Sequence, residues 1–532
     1  MTAHTERTAS GTFRGVVKGM KRASAYLLIL ALLLSPLGAA ASMGRGSLLT
    51  LGMVGGSSDY INPFVSPERD MMALTSLIYE GLVQINDDYA PQAALAERWE
   101  SSTDGSTWTF YLREGVTFHD GTPLTAADAE ASAKEILRLA TAEGISYRGP
   151  YASLRYLITD VKATGELTLE IKTNRKNYGF LFGMNFPILP ASAIQAGNPP
   201  GTGPYRLANY VPANYMMLTA NGTWWGGPLS LQEIMTVFHA GNNDLVSSYE
   251  YNRVDAIVTR ALNAAQYRSG VSTLNITYRT KQLETLLFNY SSYELEDAKV
   301  RKAIRFAINI ESLAGGSFMG MVTRSDTLMP VGTWMQGGVS STLRQDTQRA
   351  KDLLAQAGWG DPDENGILTR IVSGSRKKLS LRLVVYDEGS DGARMSTAQQ
   401  IAQMLNEVGI EARVDVVSLS RAQELLKAGS FDLALVAFNM DPVPDPGFLL
   451  ISGNTGNYMR YKSERMDKLF KELRETMDRE AYAQKLYEIQ AQFVEDCPLV
   501  SLYYRNGAII TRDMFTAARD LREPDVLRGI GD

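Results

Sequence analysis

Apolar and polar residues follow each other along the chain with two different periods. In residues 300–308 the apolar side chains fall at positions i, i+3, i+4, i+7 and i+8, which predicts an amphipathic helix with one buried face. In another segment Trp108, Phe110 and Leu112 occupy alternate positions, which predicts a strand. Because both periods recur throughout, the pattern predicts an α/β protein with mixed sheets.

One stretch combines the two kinds of element. Residues 379–386 and 410–417 have the composition of strands, and residues 396–408 between them have that of a helix ending at Gly409. This order predicts a βαβ unit, in which two parallel strands are covered by the helix. Ligands of such sheets tend to lie beyond the carboxyl ends of the strands, so we expect a site there.

Residues 108–128 predict a strand, a turn and the start of a helix. Asp120 and Gly121 follow His119 in the turn, and Thr125 and Asp128 have the spacing of a capping box. A structural hydrogen bond is the expected role of His119.

Composition limits the class of protein. The chain has 532 residues, 45% of them hydrophobic, with a formal net charge of −5 and a sequence pI near 5.6. That length and hydrophobic content are enough for several domains with a large core. No basic cluster stands outside the N-terminal region, which argues against nucleic acid as a partner.

The N-terminal region has the features of an export signal. Lys21 and Arg22 precede an apolar run over residues 25–37, and small residues follow at 39–41, where a signal peptidase could cleave. The run is shorter than the about 20 residues needed to span a membrane. We therefore expect residues 1–41 to be a leader and signal peptide, with Met20 as the true start.

Sequence signatures of catalysis and cofactor binding are not found. The chain lacks G-x-S-x-G, H-E-x-x-H, Walker A and G-x-G-x-x-G motifs, so we predict neither an enzyme nor a cofactor. It contains three histidines and one cysteine, Cys497, which leaves little material for a metal site and none for an internal disulfide. We expect Cys497 to be a buried small hydrophobe.

Ordered motifs along the chain carry a resemblance to a known family. FYLREGVTFHDGTPLTAAD at residues 110–128 resembles the signature of the peptide- and nickel-type solute-binding proteins of ABC importers (family 5), among them dipeptide- and oligopeptide-binding proteins. Further segments resemble motifs of the same family in the same order: YEGL at 79–82, PQAALAERW at 91–99, GTGPY at 201–205, NGTWWGG at 221–227, DAKVRKAIRFAI at 297–308, FDLAL at 431–435 and PLVSLYY at 498–504.

The resemblance implies a two-lobed periplasmic-binding-protein-like fold with a ligand cleft between the lobes. It also implies a discontinuous first domain, an inserted second domain and a third domain forming the second lobe. The predicted division places the first domain at residues 42–79, 201–285 and 501–532, the second at 80–200 and the third at 286–500. Glycines at 201 and 203 are expected to allow a backbone crossing between domains.

The segment after the strand at residues 433–436 is the main candidate site. By resemblance to peptide-binding relatives, residues 437–440 supply backbone groups, Phe438 an aromatic wall and Asp441 the carboxylate for a peptide's α-ammonium. One extra residue precedes the Asp445-Pro446 pair, so Asp445 could have exchanged roles with Asp441. The predicted ligand-binding residues of this segment are Ala437, Phe438, Asn439, Met440, Asp441 and Asp445.

Four residues elsewhere complete the candidate site. Pro67 and Arg69 match a cleft-lining loop of the first domain, and Tyr151 matches an aromatic of the second domain, although Tyr151 could equally be a core residue. By the same resemblance the peptide carboxylate pairs with an arginine, but the strand before Asp441 has Leu433, Ala434 and Leu435 and no arginine. Arg394, at the start of a helix, is the substitute, because a guanidinium and a helix N-terminus both favour an anion.

These features predict an exported binding protein of an ABC importer. We expect it to be monomeric, to bind peptides in the cleft and to deliver them to the membrane permease. Ser42 and Met43 stand where a lipid-modified cysteine would follow the signal, so a periplasmic location is expected. Two alternatives stay open: a binding protein for chelated nickel or another non-peptide solute, and an extracytoplasmic hydrolase.

Overall fold

The computed structural model describes residues 48–66, 68–142, 149–267, 269–270, 272–338, 343–388, 392–512 and 520–531; the predicted signal peptide lies outside them. The strands are β1 (Leu48–Val54), β2 (Val83–Ile85), β3 (Pro91–Ala93), β4 (Ala96–Ser101), β5 (Thr107–Leu112), β6 (Ile158–Ala163), β7 (Thr168–Thr173), β8 (Tyr205–Val211), β9 (Tyr215–Ala220), β10 (Glu233–His239), β11 (Ala256–Thr259), β12 (Leu274–Phe288), β13 (Val322–Arg324), β14 (Thr369–Val372), β15 (Ser375–Lys378), β16 (Ser380–Tyr386), β17 (Glu411–Val417), β18 (Leu433–Asn439) and β19 (Leu499–Thr511).

The α-helices are α1 (Arg69–Thr75), α2 (Ala126–Thr141), α3 (Asn242–Glu250), α4 (Ala298–Ala307), α5 (Ile310–Gly316), α6 (Thr347–Gln356), α7 (Ala393–Asn406), α8 (Leu419–Ala428), α9 (Gly447–Leu450), α10 (Glu464–Leu473) and α11 (Arg479–Asp496). Short 3₁₀ turns cover Ala152–Tyr156, Tyr178–Asn185, Ala191–Ala193 and Leu262–Gln266. None of the helices in this part of the chain combines the length and hydropathy that crossing a bilayer requires.

The largest sheet is mixed, as the two periods of the sequence predict. Its strands lie in the order β17-β16-β18-β12-β19-β11-β1-β10-β9-β8, and β13 pairs with β19. Strands β16, β17 and β18 are parallel to their neighbours within that group, as are β1, β10 and β11, whereas β12 and β19 run antiparallel to each other. A second sheet of four antiparallel strands, β4-β5-β7-β6, packs against α2.

Two long strands join the two ends of the large sheet. Near one end of β12, residues from Leu274 to Arg279 pair with β19, and the pairing resumes only at Leu283 after a shift of register. Residues 521–523 of the C-terminal segment lie beside the gap, where Arg279 N–H donates to the Leu521 carbonyl at 2.9 Å and Glu523 N–H donates to the Arg279 carbonyl at 3.0 Å. The C-terminal segment therefore supplies backbone partners where the β12/β19 ladder is interrupted.

The predicted local elements are confirmed. Strands β16 and β17 pair in parallel over residues 380–386 and 411–417, with α7 between them in sequence, so the βαβ unit is present. Helix α4 covers most of the segment predicted from its period. At the start of α2, the Thr125 N–H donates to Asp128 Oδ2 at 2.9 Å, as a capping box requires. Cys497 is buried, as expected.

The turn histidine and the glycine motif contact each other. Nε2 of His119 lies 3.0 Å from the Gly203 carbonyl, and the Gly201 N–H donates to His119 Nδ1 at 3.3 Å. Neither glycine has a positive φ, so the expected dihedral reason is wrong. A Cβ at Gly201 would lie 1.9 Å from the Ile78 carbonyl oxygen, and the requirement is close backbone approach.

The predicted domain boundaries after residues 285 and 500 fall inside β12 and β19. Both strands continue past those positions, and the β12/β19 ladder has register shifts between Arg279 and Leu283 and between Glu284 and Thr285. The division into three domains stays a prediction.

Candidate ligand-binding cleft

The candidate loop leaves the large sheet at the carboxyl end of β18. Its backbone is held by β12, because residues 433–439 pair antiparallel with residues 282–288 and the Met440 N–H donates to the Lys281 carbonyl at 2.8 Å. Asp441 follows directly, and one of its carboxylate oxygens accepts a hydrogen bond from the Val443 N–H at 3.2 Å. No ion pair from the described residues reaches the Asp441 carboxylate. The end of β18 thus presents a carboxylate that has no ion pair among the described residues.

Two neighbouring cavities meet at Asp441. The main cavity has a volume of about 380 Å³, and Tyr151, Lys281, Asn439, Met440, Asp441 and Asp525 are among its lining residues. The side cavity has a volume of about 80 Å³, and it is lined in large part by apolar residues, among them Leu328, Met329, Met335, Met440, Phe448 and Tyr504. Asp441, Lys281 and Asp525 line both cavities, so these three charges lie where the two spaces join.

Asp445 has a different environment from Asp441. Its carboxylate accepts hydrogen bonds from Arg175 Nη1 at 2.6 Å, from Arg474 Nε at 2.7 Å and from the Gly447 N–H at 2.9 Å. Only 4% of the Asp445 side chain is exposed. Because these partners occupy both oxygens, the arrangement leaves Asp441 as the carboxylate of this loop that has room for a ligand, although Asp445 also lines the side cavity.

The other predicted residues of this segment divide into two groups. Asn439 and Met440 line the main cavity, whereas Ala437 and Phe438 line neither cavity. The Phe438 ring packs against Phe448, with ring centroids 6.0 Å apart, on the edge of a hydrophobic cluster. The half-buried Phe438 ring therefore lies at the edge of that cluster and outside both cavities, and Phe448 lines the side cavity.

The three candidates from the first two domains have different outcomes. Tyr151 lines the main cavity together with Asp441, and its contact with a ligand stays a prediction. Pro67 lies outside the described residues, as does the side chain of Arg69. Their proposed contact with the ligand stays a prediction.

Arg394 does not lie in the cleft. Its side chain is 1% exposed, and its guanidinium donates to both carboxylate oxygens of Glu284, at 3.0 and 2.8 Å, while Glu388 lies 2.6 Å away. Arg505 also pairs with Glu284 and Glu388. The expectation that Arg394 binds a ligand carboxylate is corrected by this geometry, because its charge is already neutralised in the protein interior.

Lys281 and the C-terminal segment were missed by the sequence reasoning. Lys281 lies in the interrupted part of the β12/β19 ladder, and Glu523, Pro524 and Asp525 reach the main cavity from the far end of the chain. No local motif marks these residues. A lysine within a long strand and an acidic residue near the C-terminus give no signal in the sequence, because only the return of the C-terminal segment brings them to the cleft.

Charges around Asp525 and Glu523 differ in how they are compensated. Burial raises the pKa of the Asp525 carboxyl, and the positive charges of Arg528, Lys281 and Arg522 oppose that shift. Glu523 forms an ion pair with Arg260 and accepts a hydrogen bond from the Lys281 N–H at 3.3 Å. The cleft therefore holds one paired and one unpaired carboxylate on the same segment.

Arginines that line the side cavity are engaged by the protein itself. Arg279 and Arg522 both pair with Asp520, and Arg279 Nη1 also donates to the Val331 carbonyl at 2.6 Å. Arg528 pairs with Asp87 at 2.5 Å. These pairs hold the C-terminal segment against residues 85–87 and 279, and they leave Lys281 as a cation of the cleft without an ion pair among the described residues.

Comparison with known proteins agrees with this architecture. The chain matches the model of the bacterial extracellular solute-binding proteins, family 5 (middle), over residues 90–459, and it belongs to that family. The oligopeptide-binding protein AppA of Bacillus subtilis is 23% identical over 493 residues, covering 87% of each chain. The nickel-binding periplasmic protein of Escherichia coli is 27% identical over 379 residues, covering 66% of this chain and 68% of that protein.

Solved structures show the same fold. The substrate-binding protein CtaP of an ABC transporter from Listeria monocytogenes superposes with a TM-score of 0.75 at 20% identity, covering 92% of this chain and 98% of that one. NikA from Brucella suis, solved with Fe(III)-EDTA, superposes with a TM-score of 0.73 at 20% identity, covering 88% and 97%. The two-lobed α/β fold predicted from the motifs is thereby confirmed.

Proposed function

We propose that this solute-binding protein captures peptides in the cleft and that Asp441 binds their α-ammonium group. The observation that carries the proposal is the Asp441 carboxylate, which lines both cavities and has no ion pair among the described residues. Asp441 follows Asn439, the last residue of β18, and Met440, and both of these residues line the main cavity as well. A peptide main chain is suited to such a wall, because its backbone hydrogen bonds provide affinity without selecting side chains.

Capture is expected to end in closure of the cleft and presentation of the peptide to an ABC permease. The interrupted β12/β19 ladder between Arg279 and Leu283 is the place where two long strands could change their relative angle, and Lys281 lies within it. Closure expels water from the cleft, which strengthens every charge pair formed there. We propose that the protein binds its ligand without turnover, so the ligand leaves unchanged. We also propose that the protein is monomeric and is exported to the periplasm.

The proposal is tested by calorimetry with paired ligands. Asp441→Asn should weaken binding of tripeptides with a free amino terminus by about 2–5 kcal/mol, because the ligand's buried ammonium would lose its partner. The N-acetylated forms should bind poorly to the parent and lose little more in the variant. Asp59→Asn, which removes the same charge from an exposed position, is the matched control. Equal losses for both peptide forms would reject Asp441 as the ammonium site.

A measurement of the melting temperature separates peptides from the nickel alternative. Any ligand that binds only the folded state raises the melting temperature, with about 2.7 kcal/mol of added stability at a hundredfold excess over Kd. Peptides should produce this shift, and a Ni(II)–histidine complex should not. A shift with the nickel complex and none with a diverse peptide library would replace the proposed ligand.

A further inference from the structure

The main cavity is lined by two parts of the molecule that have separate hydrophobic cores. Residues 149–154 of its lining pack with the four-stranded sheet in one core, and we call this part the sheet wall. Residues 439–442 of its lining follow β18, which packs with α10 and α11 in another core, and we call this part the helix wall. Contacts between the sheet wall and the helix wall therefore determine how firmly this part of the cavity is closed.

The two walls are joined by an ion pair and by a backbone hydrogen bond. Arg175, which lies two residues after β7 of the sheet wall, donates from Nη1 to Asp445 Oδ2 of the helix wall at 2.6 Å. Close to it, the Tyr178 N–H donates to the Thr476 carbonyl at 3.0 Å. The turn after β7 is thus attached both to the candidate binding loop and to the segment that follows α10.

Asp445 does not depend on Arg175 for its neutralisation. Arg474, which belongs to the helix wall itself, donates to both carboxylate oxygens of Asp445, from Nε at 2.7 Å and from Nη2 at 3.1 Å. The Gly447 N–H adds a further hydrogen bond at 2.9 Å. Because Arg175 is a second cation on a carboxylate that is already paired within its own part, its contribution is to the contact between the walls.

Asp445 is linked to Asp441 by a short and stiff loop. Pro442 and Pro444 lie between the two aspartates, and each proline has a fixed φ. The Val443 N–H donates to Asp441 Oδ1 at 3.2 Å, and the Val443 carbonyl accepts a hydrogen bond from the Asp445 N–H at 2.8 Å. The Val443 side chain packs against the core of the sheet wall. A contact that holds Asp445 in place therefore also holds Asp441 in place.

We propose that the pair of Arg175 and Asp445 is a latch that holds the two walls together and so determines how long a captured ligand is retained. This inference rests on the proposed capture of a ligand at Asp441. A contact made only in the closed cleft stabilises the closed form alone, and a larger closed fraction lowers the apparent Kd of every ligand by the same factor. Arg175 lines neither the main nor the side cavity, so it acts through the loop as a positioning residue.

The first test measures the release of Ala-Ala-Ala by stopped flow. The Arg175 side chain is 24% exposed and that of Asp445 is 4% exposed, so the pair is intermediate between a surface pair and a buried one. Arg175→Gln should therefore release the peptide about tenfold faster than the parent, a factor equal to about 1.4 kcal/mol, with an association rate within about threefold. Arg98→Gln, which removes an exposed arginine from β4 of the sheet wall, is the matched control and should leave both rates unchanged.

The C-terminal amide of Ala-Ala-Ala shows whether Arg175 contacts the ligand. The amide should be released from Arg175→Gln faster by the same factor as the free acid, because Arg175 lies outside both cavities. An effect on the free acid alone would mean that Arg175 binds the ligand carboxylate, and it would overturn the latch. An unchanged release rate for both peptides would overturn it as well.

Two further variants separate the latch from a merely structural role. Arg175→Lys keeps a cation at this position and should release Ala-Ala-Ala less than about threefold faster than the parent. In an Asp445→Asn background, Arg175→Gln should add less than about threefold, because the pair is already broken. A further tenfold acceleration in that background would show that Arg175 acts through another contact and would reject the latch. If Asp445→Asn does not fold, the single variants of Arg175 remain decisive.

Small-angle X-ray scattering tests the latch without any ligand. Ligand-free Arg175→Gln should have a larger radius of gyration than the ligand-free parent and Arg98→Gln, because the walls separate when the pair is lost. Equal radii would overturn the latch. If Ala-Ala-Ala does not bind to the parent, the proposed peptide-binding function fails, and the scattering comparison still decides the latch. If Ala-Ala-Ala binds and Arg175→Gln changes neither its release nor the radius, the peptide-binding function stands and the latch fails.

Discussion

Two groups of charged residues near β12 illustrate how the same chemistry serves different purposes. In the group at β12 and β19, Glu284 and Glu388 pair with Arg394 and Arg505, and the two signs balance. In the cleft, Asp441, Asp525 and Lys281 have no ion pairs among the described residues. Buried charges that pair with one another need no ligand, whereas unpaired charges that line a cavity are available to one.

The pKa shifts of Glu284 and Asp525 have opposite signs. Burial raises the pKa of Glu284, but the charges of Arg394 and Arg505 outweigh it and hold that pKa below its usual range. At Asp525 burial prevails over its three positive neighbours, and the pKa lies above its usual range. The difference is that the two arginines contact Glu284 directly, whereas no cation among the described residues lies within ion-pair distance of Asp525.

The largest effect is expected from breaking the balanced group. Glu284→Gln should lower the free energy of unfolding by about 3–5 kcal/mol, because Arg394 would keep its charge at 1% exposure with one partner fewer. Urea denaturation measures the loss, and Glu97→Gln at an exposed position is the control. A loss below 1 kcal/mol would mean that this group contributes no more than a surface pair.

Asp445→Asn should have an intermediate effect. It withdraws the negative charge from Arg175 and Arg474, whose side chains are 24% and 26% exposed, so we expect a loss of about 1–3 kcal/mol in urea denaturation. Asp415→Asn breaks a pair with Arg382 whose two side chains are more than a third exposed, and it should lose less than about 1 kcal/mol. Similar losses in both variants would show that burial of Asp445 does not strengthen its pairs.

The smallest effect is expected at Asp525, and it has the opposite sign. Without ligand, Asp525→Asn should raise the free energy of unfolding at pH 7 on the order of 0.5–1 kcal/mol, because an unpaired, partly buried charge is removed. Differential scanning calorimetry of the unliganded protein measures this change. A variant that is less stable than the parent would contradict the prediction and would show that a partner stabilises the Asp525 carboxylate.

The pH dependence of stability separates Glu284 from Asp525 further. Since the folded-state pKa of Glu284 is lowered, its contribution is present above the unfolded value near 4.5 and is lost as the pH falls through the folded value. The folded-state pKa of Asp525 is raised above the ordinary 3.8, so its contribution is present at low pH and is lost as the pH rises through the folded value. Glu284→Gln should therefore flatten the acid side of the stability profile, and Asp525→Asn should flatten the side above pH 3.8.

Local elements of the fold were predictable from short stretches of sequence. Three of these patterns depend on residues that are close in sequence, and each is present in the structure. They are the period of residues 300–308, the βαβ order of residues 379–417 and the spacing of Thr125 and Asp128. Arg394 shows the limit of such reasoning. A helix start and a guanidinium suggested an anion site, but the anion is Glu284, which is supplied by a distant strand.

The sequence by itself determined the family and the α/β class, because periodicity and ordered motifs are properties of neighbouring residues. It also predicted the loop after β18 as the candidate binding loop. Tertiary structure alone decided which charges face the cleft. Asp441 and Asp445 are four positions apart, yet only Asp445 is neutralised, since Arg175 and Arg474 reach it from other elements. Lys281 and Asp525 enter the site only because the C-terminal segment returns beside the gap in the β12/β19 ladder, and contacts between such distant segments leave no periodic pattern in a sequence.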